Sequence, residues 1–262
     1  MSADKILAQL DLAATEPGIW SLEVDRTLCI GPAGAKHMSG GACTAALIDA
    51  AEKMTSKPLI QAGIQFFQAP AAGDPVTIKR LGHKPGRSVD IAIVQMSVGD
   101  SVCAHMTGSF GRRNGDDPIQ WTRPPDLPGP GDCEPLPFIR ADAHDLHTFL
   151  DVRMAGAPQN GQLNFWVRAP RDGLSTQARF LALIADYLPE ALHFNLGRPV
   201  GAVSLDNCIS ILGEGPAEWV LCQVALDGIR NGIFHGSVKI FAEHGTLLAR
   251  GSQSGLVRPR VP

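Results

Sequence analysis

Asp186 stands in the setting that most invites chemistry. It follows the apolar run Phe180-Leu181-Ala182-Leu183-Ile184-Ala185, near the end of a predicted helix, where an unpaired charge is costly. Burial disfavours the ionised form, so the carboxyl pKa should rise toward neutrality and suit the group to taking a proton from water. A hydroxyl and a carboxamide nearby could orient that water without adding charge. An aspartate near a helix end can equally be a cap or a solvated residue, and Asp49, in Ala46-Leu47-Ile48-Asp49, is a near echo on a helix turning polar. Other constellations point elsewhere or nowhere. His144-x-x-His147 lies between Asp142 and Asp145, but two histidines three apart after a proline-rich stretch are usually solvated, so no metal is expected. Gly251-Ser252-Gln253-Ser254-Gly255 puts glutamine where a nucleophile elbow needs serine. Neither a P-loop nor a G-x-G-x-x-G occurs, and no cofactor is expected.

These residues must be held by elements read from pattern. The chain has 262 residues with 28 glycines and 20 prolines, and the prolines crowd between Pro118 and Pro137, a density that helices and central strands do not tolerate. We expect a first domain over 1–114, a linker over 115–137 and a second domain over 138–262. Before the linker, Ile19 to Ile30 reads as a strand and Ser39 to Lys53 as a helix opened by Gly40-Gly41. Strands follow at Leu59 to Gln68, Pro75 to Arg80, Ser88 to Ser97 and Ser101 to Phe110. After it, Gln162 to Val167 reads as a strand and Leu174 to Leu188 as a helix ended by Pro189. Val200 to Leu212, Glu218 to Leu226, Ile233 to Phe241 and Thr246 to Val257 then read as strands. The order occurs twice, which predicts an α+β fold of two antiparallel sheets, each wrapped around one central helix, with open edges that pair. A helix over Ala3 to Leu12 should pack outside through Ile6, Leu7 and Leu10.

Composition narrows the partners. With 23 Lys+Arg against 26 Asp+Glu and a net charge of −3, the chain lacks the basic excess that nucleic acid requires. It also lacks an apolar run of about 18 residues, so no membrane span is expected. Met1-Ser2-Ala3-Asp4-Lys5 does not begin a secretory signal, and a cytoplasmic location is expected. Cys29, Cys43, Cys103, Cys133, Cys208 and Cys222 contain no C-x-x-C pair and read as buried thiols.

Six stretches together carry a resemblance. They are Gly40-Gly41 before an alanine-rich helix, Phe66-Phe67-Gln68-Ala69-Pro70, Gly86-Arg87-Ser88, Leu183-Ile184-Ala185-Asp186, Val203-Ser204-Leu205-Asp206, and Gly251 to Arg258. In order and spacing the sequence resembles acyl-CoA thioesterases of the thioesterase II type, built from two fused hotdog domains. That resemblance implies hydrolysis of an acyl-CoA by a water held by Asp186, Ser204 and Gln253. Ser204 stands where the family more often has threonine. Asn207-Cys208-Ile209-Ser210-Ile211 replaces the family's histidine and aromatics, which leaves the acyl preference open. The carbonyl oxygen still needs donors, and Gly40-Gly41 or Asp172-Gly173 at a helix start could supply them. Gly86, Arg87 and Ser88 are expected at the substrate, with Arg87 toward a CoA phosphate. Relatives imply a homodimer. The rival readings are a non-catalytic acyl-CoA or acyl-chain binding protein and, more distantly, a hotdog enoyl-CoA hydratase. The hydratase signature would need a proline and a histidine that are missing after Asp206-Asn207.

Overall fold

Small residues set the first helix. The structure, a computed structural model, describes residues 3–32, 34–112, 119–138, 145–171, 178–213 and 215–258. His144, Asp172-Gly173, the first residues of the second expected helix and 115–118 of the expected linker lie outside the described residues. The chain opens with α1 (Ala3–Gln9), β1 (Ala13–Glu16) and β2 (Ile19–Glu23), then short β3 (Cys29–Ile30) and β4 (His37–Met38). The long strand expected from Ile19 is thus broken, because Asp25 accepts from the Thr27 N–H and starts a tight turn. Next comes α2 (Gly40–Thr55), capped by Ser39, whose Oγ accepts from the Ala42 N–H at 3.0 Å. From Gly41 to Ala51 every residue is buried, as its alanine-rich circumference requires of a helix enclosed by sheet. Strands β5 (Leu59–Phe66), β6 (Pro75–Lys84), β7 (Val89–Val98) and β8 (Ser101–Gly111) complete this half.

The second half repeats the plan with a broken helix. After α3 (Leu146–Phe149), β9 (Val152–Met154) and β10 (Gln162–Arg168) come α4 (Ala178–Ala185) and α5 (Leu188–Leu196). Pro189 does not simply end one helix. It sits in the first turn of α5, where its missing N–H costs nothing, while its ring could not follow the α4 carbonyls. The break leaves Asp186 and Tyr187 between the two helices. Strands β11 (Gly201–Ser204), β12 (Asp206–Ile211), β13 (Trp219–Arg230), β14 (Ile233–Ala242) and β15 (Leu247–Arg258) follow. One strand was expected over 200–212, but Leu205 divides it.

The two sheets are one. The order is β1-β2-β6-β7-β8-β5-β12-β15-β14-β13-β10-β9, with β11 also on β15. The seam is antiparallel β5 against β12, from Gln61 opposite Ser210 to Gln65 opposite Asp206, so each half closes the other's open edge. Helices α2 and α4 pack on each other antiparallel, with Gly41 beside Leu183 and Asp186 at one end and Asp49 beside Arg179 at the other. In the expected linker, the Trp166 indole donates to the Pro128 carbonyl at 2.9 Å and Gln120 brackets the turn at Gly245 and Leu247. This proline-rich stretch therefore lies against the second half. No helix among the described residues is long and apolar enough to cross a membrane.

Candidate active site

Close approach of the two helices creates the site. A Cβ on Gly41 would lie 2.4 Å from the Leu183 carbonyl oxygen, and one on Gly40 would lie 2.8 Å from an Asp186 carboxylate oxygen, so only glycine lets α2 start there. The Gly41 N–H then donates to Asp186 Oδ2 at 2.7 Å, which sets the carboxylate against the positive end of the α2 dipole. Its other oxygen, Oδ1, accepts from Gln253 Nε2 at 2.6 Å, and the same nitrogen donates to Ser204 Oγ at 2.8 Å.

A one-residue irregularity aims the serine. Ser204 pairs with Gly255 on β15, whereas Cys208 pairs with Ser252. The strand at Ser204 therefore takes one residue more than its partner, as in a bulge. Three bonds fix this offset: the Leu205 N–H donates to the Ser254 carbonyl, the Ser254 N–H to Asp206 Oδ1, and the Phe66 N–H to the Leu205 carbonyl.

The hydrogen-bond inventory limits each group's role. An ionised carboxylate only accepts, so the Gln253 amide must turn its nitrogen to Asp186, and both amide hydrogens are then committed. Gln253, only 1% exposed, therefore holds Asp186 and Ser204 in register. Because Ser204 Oγ accepts from Gln253, its own hydrogen remains for a water or substrate. At the start of α2, the Ser39 N–H goes to the Leu28 carbonyl, Gly41 to Asp186 and Ala42 to Ser39 Oγ. The Gly40 N–H is thus the group of that first turn left for an incoming oxygen among the described residues. Asp186 itself is half-buried. Burial pushes its pKa up to about 6, against the opposing pull of the Gln253 and Gly41 hydrogen bonds.

Comparison with known proteins places the chain. The chain matches the acyl-CoA thioesterase N-terminal domain over residues 31–111 and the acyl-CoA thioesterase C-terminal domain over 130–257. It superposes on the crystal structure of a candidate thioesterase from Novosphingobium aromaticivorans with a TM-score of 0.88 and 30% identity, covering 95% of this chain and 99% of that one. This chain belongs to the acyl-CoA thioesterase family. A hot dog fold protein of unknown function from Alicyclobacillus acidocaldarius (18% identity, TM-score 0.86, 98% and 99% covered) shares the fold. So does an acyl-CoA thioesterase II from Mycobacterium marinum (22%, 0.78, 97% and 99%). A search of curated protein sequences returned no match. The protein is a thioester hydrolase on a double hotdog.

Other expected residues of this thioesterase lie apart from Asp186. Gly86, Arg87 and Ser88 form the exposed turn between β6 and β7. There the Gly86 N–H donates to Asp90 Oδ1 at 2.9 Å and Lys57 Nζ donates to the Gly86 carbonyl at 3.0 Å. With Lys57 and His83 also on it, the Asp90 carboxyl is held well below the usual range. Lys57 follows the C-terminal end of α2, and a 16-residue helix spans about 24 Å, so this turn is at the opposite end of α2 from Asp186. His147, expected in solvent, instead stacks on Phe138 with ring centroids 4.1 Å apart, and burial pushes its pKa down to about 4. Among the cysteines expected to be buried, Cys208 is exposed on the outer face of β12 and Cys133 is half-exposed. The pattern of the sequence carried no sign of the Gly41 to Asp186 bond.

Proposed function

We propose that Asp186, Ser204 and Gln253 carry out hydrolysis of an acyl-CoA to the free acid and CoA by direct attack of water. The observation that carries this reading is the Asp186 carboxylate pinned between the Gly41 N–H and Gln253 with its pKa near neutrality. In the ionised form Asp186 takes a proton from a water to which the Ser204 hydroxyl donates, and the water oxygen bonds to the thioester carbonyl carbon. The carbonyl oxygen becomes an oxyanion that the Gly40 N–H and the α2 dipole stabilise. When the tetrahedral species collapses, the carbon–sulfur bond breaks and the departing thiolate takes the proton back from the Asp186 carboxyl. Atoms balance without a further reagent.

Arg87, with Gly86 and Ser88, is proposed to meet the CoA nucleotide rather than the reacting carbonyl. Raising salt should then weaken CoA binding more than binding of a free fatty acid; equal dependence would count against this role. The domain limits at 1–114 and 138–262 remain our division of the chain, and a cytoplasmic homodimer remains our proposal for its state. Exposed Leu81, Val89 and Ile91 of one half and Ile229, Ile233 and Leu256 of the other offer similar apolar surface for a second copy, and light scattering tests it. The test of the active site is Asp186→Asn. It should retain the fold and acyl-CoA binding while turnover falls about 10²-fold or more, measured as CoA thiol released across a panel of acyl chains. Undiminished release would move the chemistry elsewhere.

A further inference from the structure

A buried ion pair joins the two halves, between the chain that leads into α2 and the start of α3. Lys36 Nζ meets Asp145 Oδ2 at 3.1 Å, and the two residues are 5% and 1% exposed. Charges so deeply withdrawn from water seldom stabilise a fold more than apolar residues of the same volume, so their presence calls for another account. Lys36 lies at the end of a loop that holds left-handed glycines at Gly31 and Gly34, with φ of 114° and 88°. Four residues later its chain becomes the N-terminus of α2. The backbone of this stretch is tied within the first half: the Met38 N–H donates to Pro70, Ser39 to Leu28 and Ala72 to Lys36. The Lys36 side chain instead crosses to the other half, where it meets Asp145.

Asp145 stands at the N-cap of α3 but makes no side-chain cap bond, and its carboxylate turns to Lys36 instead. Two residues on, the His147 ring meets the Tyr187 ring edge-on, with centroids 5.7 Å apart. Tyr187 is buried, packs on Phe165 at 4.8 Å, and directly follows Asp186. The contacts therefore close a ring that runs from Gly41 to Asp186, Tyr187, His147, Asp145 and Lys36 and returns along the chain to Gly41. We infer that Lys36 and Asp145 are positioning residues for hydrolysis, setting the α2 N-terminus against the Asp186 carboxylate. This rests on the proposed role of Asp186.

The ring has a consequence in pH as well as in rate. Loosening the α2 start lengthens the Gly41 hydrogen bond, which is one of the two bonds that favour ionised Asp186. The other titratable groups bearing on Asp186 are the Cys43 thiol of α2 and the Tyr187 phenol. Burial pushes both up, so they stay neutral where Asp186 titrates. Glu190 and Asp145 act on Tyr187, and Asp145 and Lys36 act in opposite directions on His147.

Single removal of either charge costs the other a buried partner and can unfold the protein, so the decisive variant is the double Lys36→Met, Asp145→Asn, which removes both charges of the pair at nearly constant volume. With its melting temperature unchanged, kcat should fall about tenfold or more with KM within about threefold, and the acidic limb of the kcat profile should move to higher pH. Asp186→Asn is measured beside it. If the double variant is stable and retains kcat and its pH profile, the positioning role is overturned while the role of Asp186 stands. If Asp186→Asn itself turns over normally, the reading of the site fails first. Should the double variant unfold, the near-isosteric Asp145→Asn alone decides at equal folded fraction: kcat lowered about tenfold with KM within about threefold supports the inference, and parental kcat overturns it.

Discussion

The two ends of the α2 and α4 pair hold similar carboxylates in opposite ways. At one end Asp186 meets neutral donors only, the Gly41 N–H and the Gln253 amide, and stays half-open with a pKa of about 6. At the other, Asp49 is 4% exposed and meets two cations, Arg179 at 2.8 Å and Lys53 at 2.9 Å, beside the Leu12 N–H at 3.0 Å. Lys53 also donates to Asp11 and to the Leu12 carbonyl, so the segment after α1 covers this end. Two cations and a backbone N–H tie both oxygens of Asp49 into the packing, whereas Asp186 is held by neutral donors alone while burial raises its pKa to about 6. The difference teaches that depth of burial alone does not set the surroundings of a carboxylate, since the more deeply buried aspartate is the one paired with cations.

Substitution at both ends should separate the roles. Asp186→Asn is expected to cost about 10²-fold in turnover, while Asp49→Asn changes turnover only a few-fold; matched rate assays at equal folded fraction check the ranking, and its reversal would relocate the site. Stability should reverse the order. Asp49→Asn leaves Arg179 and Lys53 facing a neutral amide and should destabilise by about 2 kcal/mol, less than a fully buried pair because Lys53 reaches water, as urea unfolding would show.

Below that, Ser204→Ala removes the hydroxyl and should slow turnover about tenfold, whereas Ser204→Thr, with a stiffer rotamer, should stay within about threefold of the parent. Equal loss in both would mean that the hydroxyl does not orient the water. The smallest effect is on pH-dependent stability. The folded pKa of Asp186 is raised from 3.8 to about 6, so protonation is favoured by folding. The stabilising contribution is complete below about pH 4 and is lost as pH rises through about 6. Asp186→Asn should therefore melt higher than the parent at pH 8 and converge with it near pH 4. Turnover should move oppositely in the parent, rising through pH 6 as the base ionises. A melting difference constant with pH would show that Asp186 does not titrate in this range.

Much of this was legible along the chain. Alternation and glycine turns marked the long strands β5 to β8 and β13 to β15, and the alanine run marked α2, because these patterns are local and repeat at the period of the element they form. Order and spacing also carried the family resemblance that singled out Asp186, Ser204 and Gln253. The splitting of 200–212 at Leu205 was not legible, since no residue there forbids a continuous strand; pairing with both β5 and β15 imposes it. The apolar run before Asp186 and the polar turn after Asp49 also read Asp186 as the more buried of the two, whereas the structure leaves Asp186 half-buried and Asp49 almost fully buried. Gly41 meets Asp186 across 145 positions and Arg179 meets Asp49 across 130. What a carboxylate does depends on donors and cations within a few ångströms of it, and only the packing of one helix on the other decided which aspartate received which.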